Sequence, residues 1–419
     1  MTALARPFAD RRFRRLVWLL VGAIGWTGLV LLGAALFAQR PPRAGFDLAL
    51  ILEAGRHVAG GTSPYLAGSV GLGTQVENLF YSYPPPVAQA ASLVSGLPDG
   101  LVLVAMGVAA TIGFAAVVGA LSRGAAPGSP AVDAVLPALA LAPFVYPFAI
   151  ALLFGNLDAW FPLAYGAALL AATGGTTRWR IGGGIAIGLI SLAKLHPAAL
   201  LGWLAIRGLR DRRGGRANPG TNPGANPGDG ASPSRAAGAA WPSLGVALTT
   251  IAGIVIASLA IWGTDPWAEY LNVLRSGTGA DFVSRLNVGP ASQLALLTGD
   301  LGVAVRLTPA VTLVALAVTA ATAWFLRPAT LSLAVAAAVS LVVLPITWFH
   351  YPVAMLPFAA AAWLGARESA RAGRTAALLI AALVVAALSI SEPVAVWLAV
   401  AFVLAACWPQ ANPANRTSA

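Results

Sequence analysis

Charge is scarce in this chain. Asp, Glu, Lys and Arg together make up 10% of 419 residues, and lysine occurs once, at Lys194. A single cysteine, Cys407, excludes an intrachain disulfide and any multi-cysteine metal site. Histidine occurs three times, at His57, His196 and His350. No His-Glu-x-x-His, Walker or Gly-x-Gly-x-x-Gly pattern is placed to matter, and Gly-x-Ser-x-Gly is absent. The chain therefore offers none of the common signatures of metalloproteases, P-loop enzymes, dinucleotide enzymes or serine hydrolases.

Apolar residues are abundant instead. They make up 58% of the chain, and mean hydropathy is +0.78, against roughly half apolar usage in soluble domains. Apolar runs of about 18 residues or more recur, as transmembrane helices require. The expected fold is an all-α polytopic membrane protein. The net charge of +11 does not indicate nucleic acid, because the arginines sit at the ends of apolar runs. The basic start RPFADRRFRR resembles a signal peptide, but the run Leu16 to Ala38 exceeds a normal h-region, so an uncleaved first span is expected.

The expected topology has both termini in the cytoplasm and about twelve spans. The first outer loop covers 39–98, with a helix near 46–58 and a second, too short to span, after the prolines of YSYPPPVAQAASLVSGLP. Spans follow at Leu101 to Leu121, Ala131 to Ala149 and Ala159 to Ala172. Ile181 to Ile206 is broken by LAKLHP and reads as two half-length helices. The N-terminal membrane part is 1–213. Residues 214–240, GGRANPGTNPGANPGDGASPSRAAGAA, are turn-forming and read as a disordered cytoplasmic linker. The C-terminal membrane part, 241–409, holds a second outer loop at 262–300 and spans near 302–326, 329–346, 351–365, 374–390 and 393–408; 410–419 is a cytoplasmic tail. In this topology 19 of the 25 arginines fall inside and 6 outside.

A few polar groups break the apolar pattern. Lys194 lies two residues before His196, with Pro197 ending the helix. A cation at membrane depth faces a cavity or a partner by default, and a broken helix frees backbone groups for a ligand; the plainer reading is that the side chain snorkels. His350, in PITWFHYP, is placed at the outer face, where an aromatic belt is equally expected. Asp47 is suited to cap the helix beginning after Gly45. Glu53, Arg56 and His57 are spaced to pair on one helical face.

Five stretches together resemble glycosyltransferase family 87, membrane mannosyltransferases of the GT-C type that include phosphatidylinositol-mannoside mannosyltransferases. They are FDLALILEAGRHVAGGTSPY, FYSYPPPVAQAA, LLFGNLDAW, GIAIGLISLAKLHPAALLGWLAIRG and ITWFHYPVAMLPF, in this order. The second outer loop, reading NVGPASQLALL, departs from that family's Asn-Gln-Ser pattern. The resemblance implies a GT-C-like bundle in a bacterial inner membrane, with short interfacial helices in the first outer loop and an outward-facing site. It implies inverting transfer of a sugar, mannose first, from a polyprenyl-phosphate donor to a glycolipid or glycan acceptor, with arabinofuranose as the closer rival sugar. It assigns Asp47 as base and Lys194 with His350 to the donor phosphate, with His196, Arg56 and His57 as further candidates there. Tyr65, Tyr81, Tyr83 and Gln293 are the candidate acceptor or pocket residues. The Asp-x-Asp clamp of soluble, metal-dependent glycosyltransferases is absent, so neither metal nor cofactor is expected. A transporter or lipid flippase is the rival class, but no repeat of the hydrophobic pattern supports it.

Overall fold

The computed structural model describes residues 10–39, 43–65, 81–125, 128–174, 176–216, 240–276 and 282–408. Residues 217–239 of the NPG linker and the whole C-terminal tail, 410–419, lie outside these. The described residues form seventeen α-helices and no strand beyond an isolated bridge between Asn287 and Trp348. Four helices are long and apolar enough to cross a membrane: α1 (Arg11–Phe37), α4 (Asp99–Ala125), α10 (Ala240–Trp262) and α13 (Gly302–Phe325). The protein is thus a helical membrane protein.

The expected span at Ala131 to Ala149 is not continuous. Val132–Phe144 and Tyr146–Phe154 are bent by 72° against each other. The cause is local: Pro143 and Pro147 flank the break, and a proline inside a helix removes one backbone bond and crowds the preceding turn. The second piece, α6 (Tyr146–Phe154), ends at Gly155, whose φ of 66° is a left-handed helix stop. After α5 (Val132–Leu141) and α6 come α7 (Phe161–Gly174) and α8 (Thr177–Ala193).

The break at LAKLHP is present as expected. Helix α8 ends at Ala193, Lys194 is extended, and α9 (Ala199–Arg216) resumes after a 3-10 turn containing Pro197. Glycines let α8 sit close to its neighbours. A Cβ at Gly183 would lie 2.7 Å from the Ala167 carbonyl of α7, and one at Gly184 2.6 Å from the Ser243 carbonyl of α10. Small residues are what allow such backbone approach between membrane helices.

The region expected as a span at 329–346 is helical only over α14 (Ala329–Ser340). Residues 341–350 then run irregularly to a 3-10 turn at Tyr351–Met355 and α15 (Leu356–Ala366). Asn287 holds this irregular stretch. Its Nδ2 donates to the Phe282 and Pro345 carbonyls, and its Oδ1 accepts from Gly289 and Thr347 backbone N–H groups. Buried backbone outside a helix needs such partners in a membrane protein. Helices α16 (Ala372–Leu388) and α17 (Val396–Cys407) close the chain. The stretch 262–300, expected as a second outer loop, holds α11 (Asp265–Ser276) and α12 (Pro290–Thr298).

Helix α2 (Phe46–Ala59) packs on α3 (Pro85–Ser92), both within the stretch 39–98 that was expected as a first outer loop. Two features seat the start of α2. The Gly45 N–H donates to the Leu153 carbonyl of α6 at 2.7 Å, and Gly155 lies so close beneath that a Cβ there would meet Leu48 Cβ at 2.6 Å.

Candidate active site

The turn Gly155-Asn156-Leu157-Asp158 lies directly under α2. Gly155 stops α6, and the Asn156 N–H donates to the Ala151 carbonyl at 2.9 Å, completing the stop. Asn156 then caps the following 3-10 turn, its Oδ1 accepting from the Asp158 N–H at 3.0 Å. This fixes which end of the amide points where. The Asn156 Oδ1 also accepts from Lys194 Nζ at 3.1 Å, while Nδ2 donates to Asp47 Oδ2 at 2.6 Å.

Asp47 is therefore not the helix cap that its position allows. The cap position is Gly45, which makes no side-chain cap bond, and Asp47 sits in the first turn with its carboxylate turned to Asn156. No hydrogen bond holds its Oδ1 among the described residues. Burial raises the Asp47 carboxyl above the ordinary carboxylate range, against the opposing pull of His350, Lys194 and the Asn156 hydrogen bond.

Asp158 organises the other half. It is fully buried; its Oδ1 pairs with Lys194 Nζ at 2.8 Å and its Oδ2 with His350 Nδ1 at 2.8 Å. Lys194 and His350 are 8% and 3% exposed, so neither is a snorkelling or belt residue. The Lys194 ammonium also lies 4.4 Å from the centre of the Tyr351 ring and 5.6 Å from that of Tyr83. His196 stacks on the far side of this aromatic group, its ring 4.8 Å from that of Tyr351. Its Nε2 is buried and has no hydrogen-bond partner among the described residues. The structure thus brings Asp47, Lys194, His350, His196 and Tyr83 into one cluster. Asn156, Asp158 and Tyr351 complete it, although sequence reasoning gave them no role. The available signal was two polar residues, spaced by one, in the turn between two apolar runs.

The other expected residues lie elsewhere. Arg56 is nine residues along α2 from Asp47, about 13 Å at the helical rise. Its guanidinium is shared by Glu53 at 3.0 Å, the Asp99 carboxylate and the Ser95 carbonyl, so it ties α2 to the start of α4. His57 faces Thr62 at 3.1 Å and Glu53 at 3.7 Å. Gln293 donates to the Asn287 carbonyl at 2.7 Å and so braces the segment before α12. Tyr65, Tyr81 and Tyr83 form a packed row, with ring centres 5.4 Å and 5.7 Å apart, that runs toward Lys194. The Tyr65 hydroxyl donates to the Tyr83 carbonyl. No group of three or more metal-ligating side chains is gathered among the described residues.

This arrangement can take a proton from a hydroxyl at one carboxylate and hold an anion at a neighbouring cation and imidazole. Residues 81–219 match the family model of glycosyltransferase family 87. The chain is a membrane glycosyltransferase. The matched segment contains Tyr83, Asn156, Asp158, Lys194 and His196, whereas Asp47 and His350 come to the cluster from outside it. No curated protein and no solved structure matches the chain. Within the glycosyltransferase, five separate stretches of sequence supply the cluster: the start of α2, the segment before α3 that carries Tyr83, the turn around Asn156, the turn around Lys194, and the segment holding His350 and Tyr351.

Proposed function

We propose that this enzyme transfers a sugar, mannose first, from a polyprenyl-phosphate donor to a glycolipid or glycan acceptor with inversion. The carrying observation is the pairing of a carboxylate with one free oxygen, at Asp47, with a buried lysine and histidine held by Asp158. In this reading Asp47 Oδ1 accepts the proton of the acceptor hydroxyl. The hydroxyl oxygen attacks the anomeric carbon as the bond to the donor phosphate oxygen breaks, and the electron pair leaves on the phosphate. Lys194 and His350 stabilise that developing charge. A lipid phosphate is already an anion of low basicity, so no general acid is needed. Tyr65, Tyr81 and Tyr83 offer aromatic surface beside Lys194 for a sugar ring. The enzyme would be a GT-C-like bundle of about twelve spans in a bacterial inner membrane, its site on the extracytoplasmic side and close enough to the bilayer for a polyprenyl tail.

The test is sugar transfer by purified Asp47→Asn. Wild-type protein is incubated with polyprenyl-phosphate mannose, its arabinofuranose counterpart and a total lipid extract, and the product is identified by mass spectrometry. Loss of the base lowers the rate about a hundredfold to ten-thousandfold. Activity within a few-fold of wild type would remove Asp47 from the chemistry; a pentose added to the product would replace mannose by arabinofuranose.

A further inference from the structure

The cluster contains one residue that touches both halves of the proposed chemistry and belongs to neither. We propose that Asn156 is a positioning residue that ties the base, Asp47, to the donor-binding cation, Lys194. The inference rests on the reading of Asp47 as the base and adds what holds it.

Asn156 is 2% exposed and its amide is saturated on one side by two donors, Lys194 Nζ and the Asp158 N–H. Two donors around one oxygen leave no ambiguity in its orientation, so the amino group is committed to Asp47 Oδ2. The amide plane therefore carries the position of Lys194 through to the carboxylate. It also pins one carboxylate oxygen, which leaves Oδ1 as the single proton acceptor. Capping the 3-10 turn requires only a short side-chain acceptor, which serine supplies equally well. Asparagine is longer, and bears a donor, for a second purpose.

The second purpose is to keep the base charged. Asp47 is surrounded by groups of both signs. Lys194 and His350 favour its ionised form, Asp158 opposes it, and burial opposes it most. Tyr83 and Tyr351 face the same carboxylate. On α2 itself Glu53, Arg56 and His57 lie about 1.7 to 2.8 turns away, and Asp99 of α4 is engaged by Arg56. Among these neighbours only the Asn156 amide donates a hydrogen bond directly to Asp47, and a hydrogen bond to the charged form favours it.

The test compares Asn156→Ser with wild type. Serine keeps the cap but is too short to reach Asp47. The carboxylic C=O infrared band that disappears in Asp47→Asn is followed against pH in both proteins, without substrate. The pH profile of kcat/KM is recorded for the same pair with polyprenyl-phosphate mannose and lipid extract. The expected result is an infrared midpoint and an acid limb both moved up by roughly one to two pH units, with kcat lower by about tenfold to a hundredfold, the worth of one hydrogen bond to a charged group. An unmoved infrared midpoint overturns the proposal, whatever happens to kcat, because a purely structural role would not move it. If Asn156→Ser does not fold, Asn156→Asp, which keeps the acceptor and the size, must move the midpoint up further still, and an unmoved midpoint there overturns it equally. Full activity in Asp47→Asn would instead overturn the base assignment, a distinct result.

Discussion

Asp158→Asn perturbs the cluster at its most buried charge. The Asp158 carboxylate has no exposed surface and neutralises Lys194 on one oxygen and meets His350 on the other, each at 2.8 Å. Asparagine keeps the volume, so packing against the 3-10 turn is unchanged. It leaves the Lys194 ammonium, itself almost wholly buried, without its paired carboxylate, against neutral amide oxygens and two aromatic rings. Removing one partner of a buried ion pair costs about 3–5 kcal/mol, a sizeable share of the roughly 5–15 kcal/mol typical of a folded protein. Removing both charges should cost much less, because a buried pair replaced by uncharged groups is often neutral. Lys194→Met in the Asp158→Asn background therefore ought to be more stable than either single variant, by as much as the roughly 3–5 kcal/mol that a lone buried charge costs. The assay is reversible denaturant unfolding in detergent or nanodiscs, run for the wild type, the two singles and the double. Sugar transfer, measured alongside, should stay lost in the double, since the anion site is gone. If the two single costs add to within about 0.5 kcal/mol in the double, the pair is not coupled and the reasoning fails.

Lys194→Arg tests shape against charge. If the extended backbone at Lys194 sets a point charge between Asp158 and Asn156, a planar guanidinium cannot occupy that place; transfer should drop at least tenfold, and near-normal turnover would show that any cation suffices. Asp47 sets the pH response. Its carboxyl is raised by burial, so activity should fall as pH drops through a limb lying above the ordinary carboxylate range, and a limb at the ordinary value would contradict the burial argument. The sign for stability is opposite. A raised folded-state value contributes stability that is present below the unfolded value and is lost as pH rises through the folded one. Asp47→Asn should accordingly unfold no earlier than wild type near neutral pH, and earlier unfolding would mean that the charge is stabilising.

Much of the fold was legible because apolar length and proline position are local properties. The break at LAKLHP and the proline-led α3 follow from residues within a turn of where they act, although α8 and α9, at 17 and 18 residues, are longer than the half-length helices expected. The bend between Val132–Phe144 and Tyr146–Phe154 had its prolines in plain view, but hydropathy alone reads across them. Residues 341–350 were apolar enough to pass for the end of a span. What makes them irregular is Asn287, some sixty positions away in the other outer loop. The site divides the same way. Asp47, Lys194 and His350 each stood out as a charge in apolar surroundings. Asn156 and Asp158 did not, because a turn normally contains such residues and only the return of α8 and of the His350 segment gives them partners. Arg56 stood out as strongly as Lys194, yet its partners are Glu53 and Asp99, a contact fixed by the α3–α4 turn.

The placement of the arginines predicts the side of the membrane on which this cluster opens. Arg178 and Arg180 lie at the start of α8, at the opposite end from Lys194. Arg207 and Arg210 donate to the Leu326 carbonyl just past α13, again away from the cluster. Arg15 reaches Asp133 at the start of the bent pair, whose other end is the Asn156 turn. A helix whose basic end is cytoplasmic carries its other end outward. Helix α16 reads the same direction independently: Arg371 and Arg374 flank its start, and beyond its end Glu392 pairs with Arg285 of the loop that clamps the His350 segment. Two exposed positions report on it, Ala370 at the basic end and Ser391 at the other. In a Cys407→Ala background, Ser391→Cys should react with a membrane-impermeant maleimide in intact cells with the outer membrane opened, and Ala370→Cys only after lysis. The reverse pattern would put the carboxylate, lysine and histidine in the cytoplasm, where an outward-presented lipid-phosphate sugar cannot reach them.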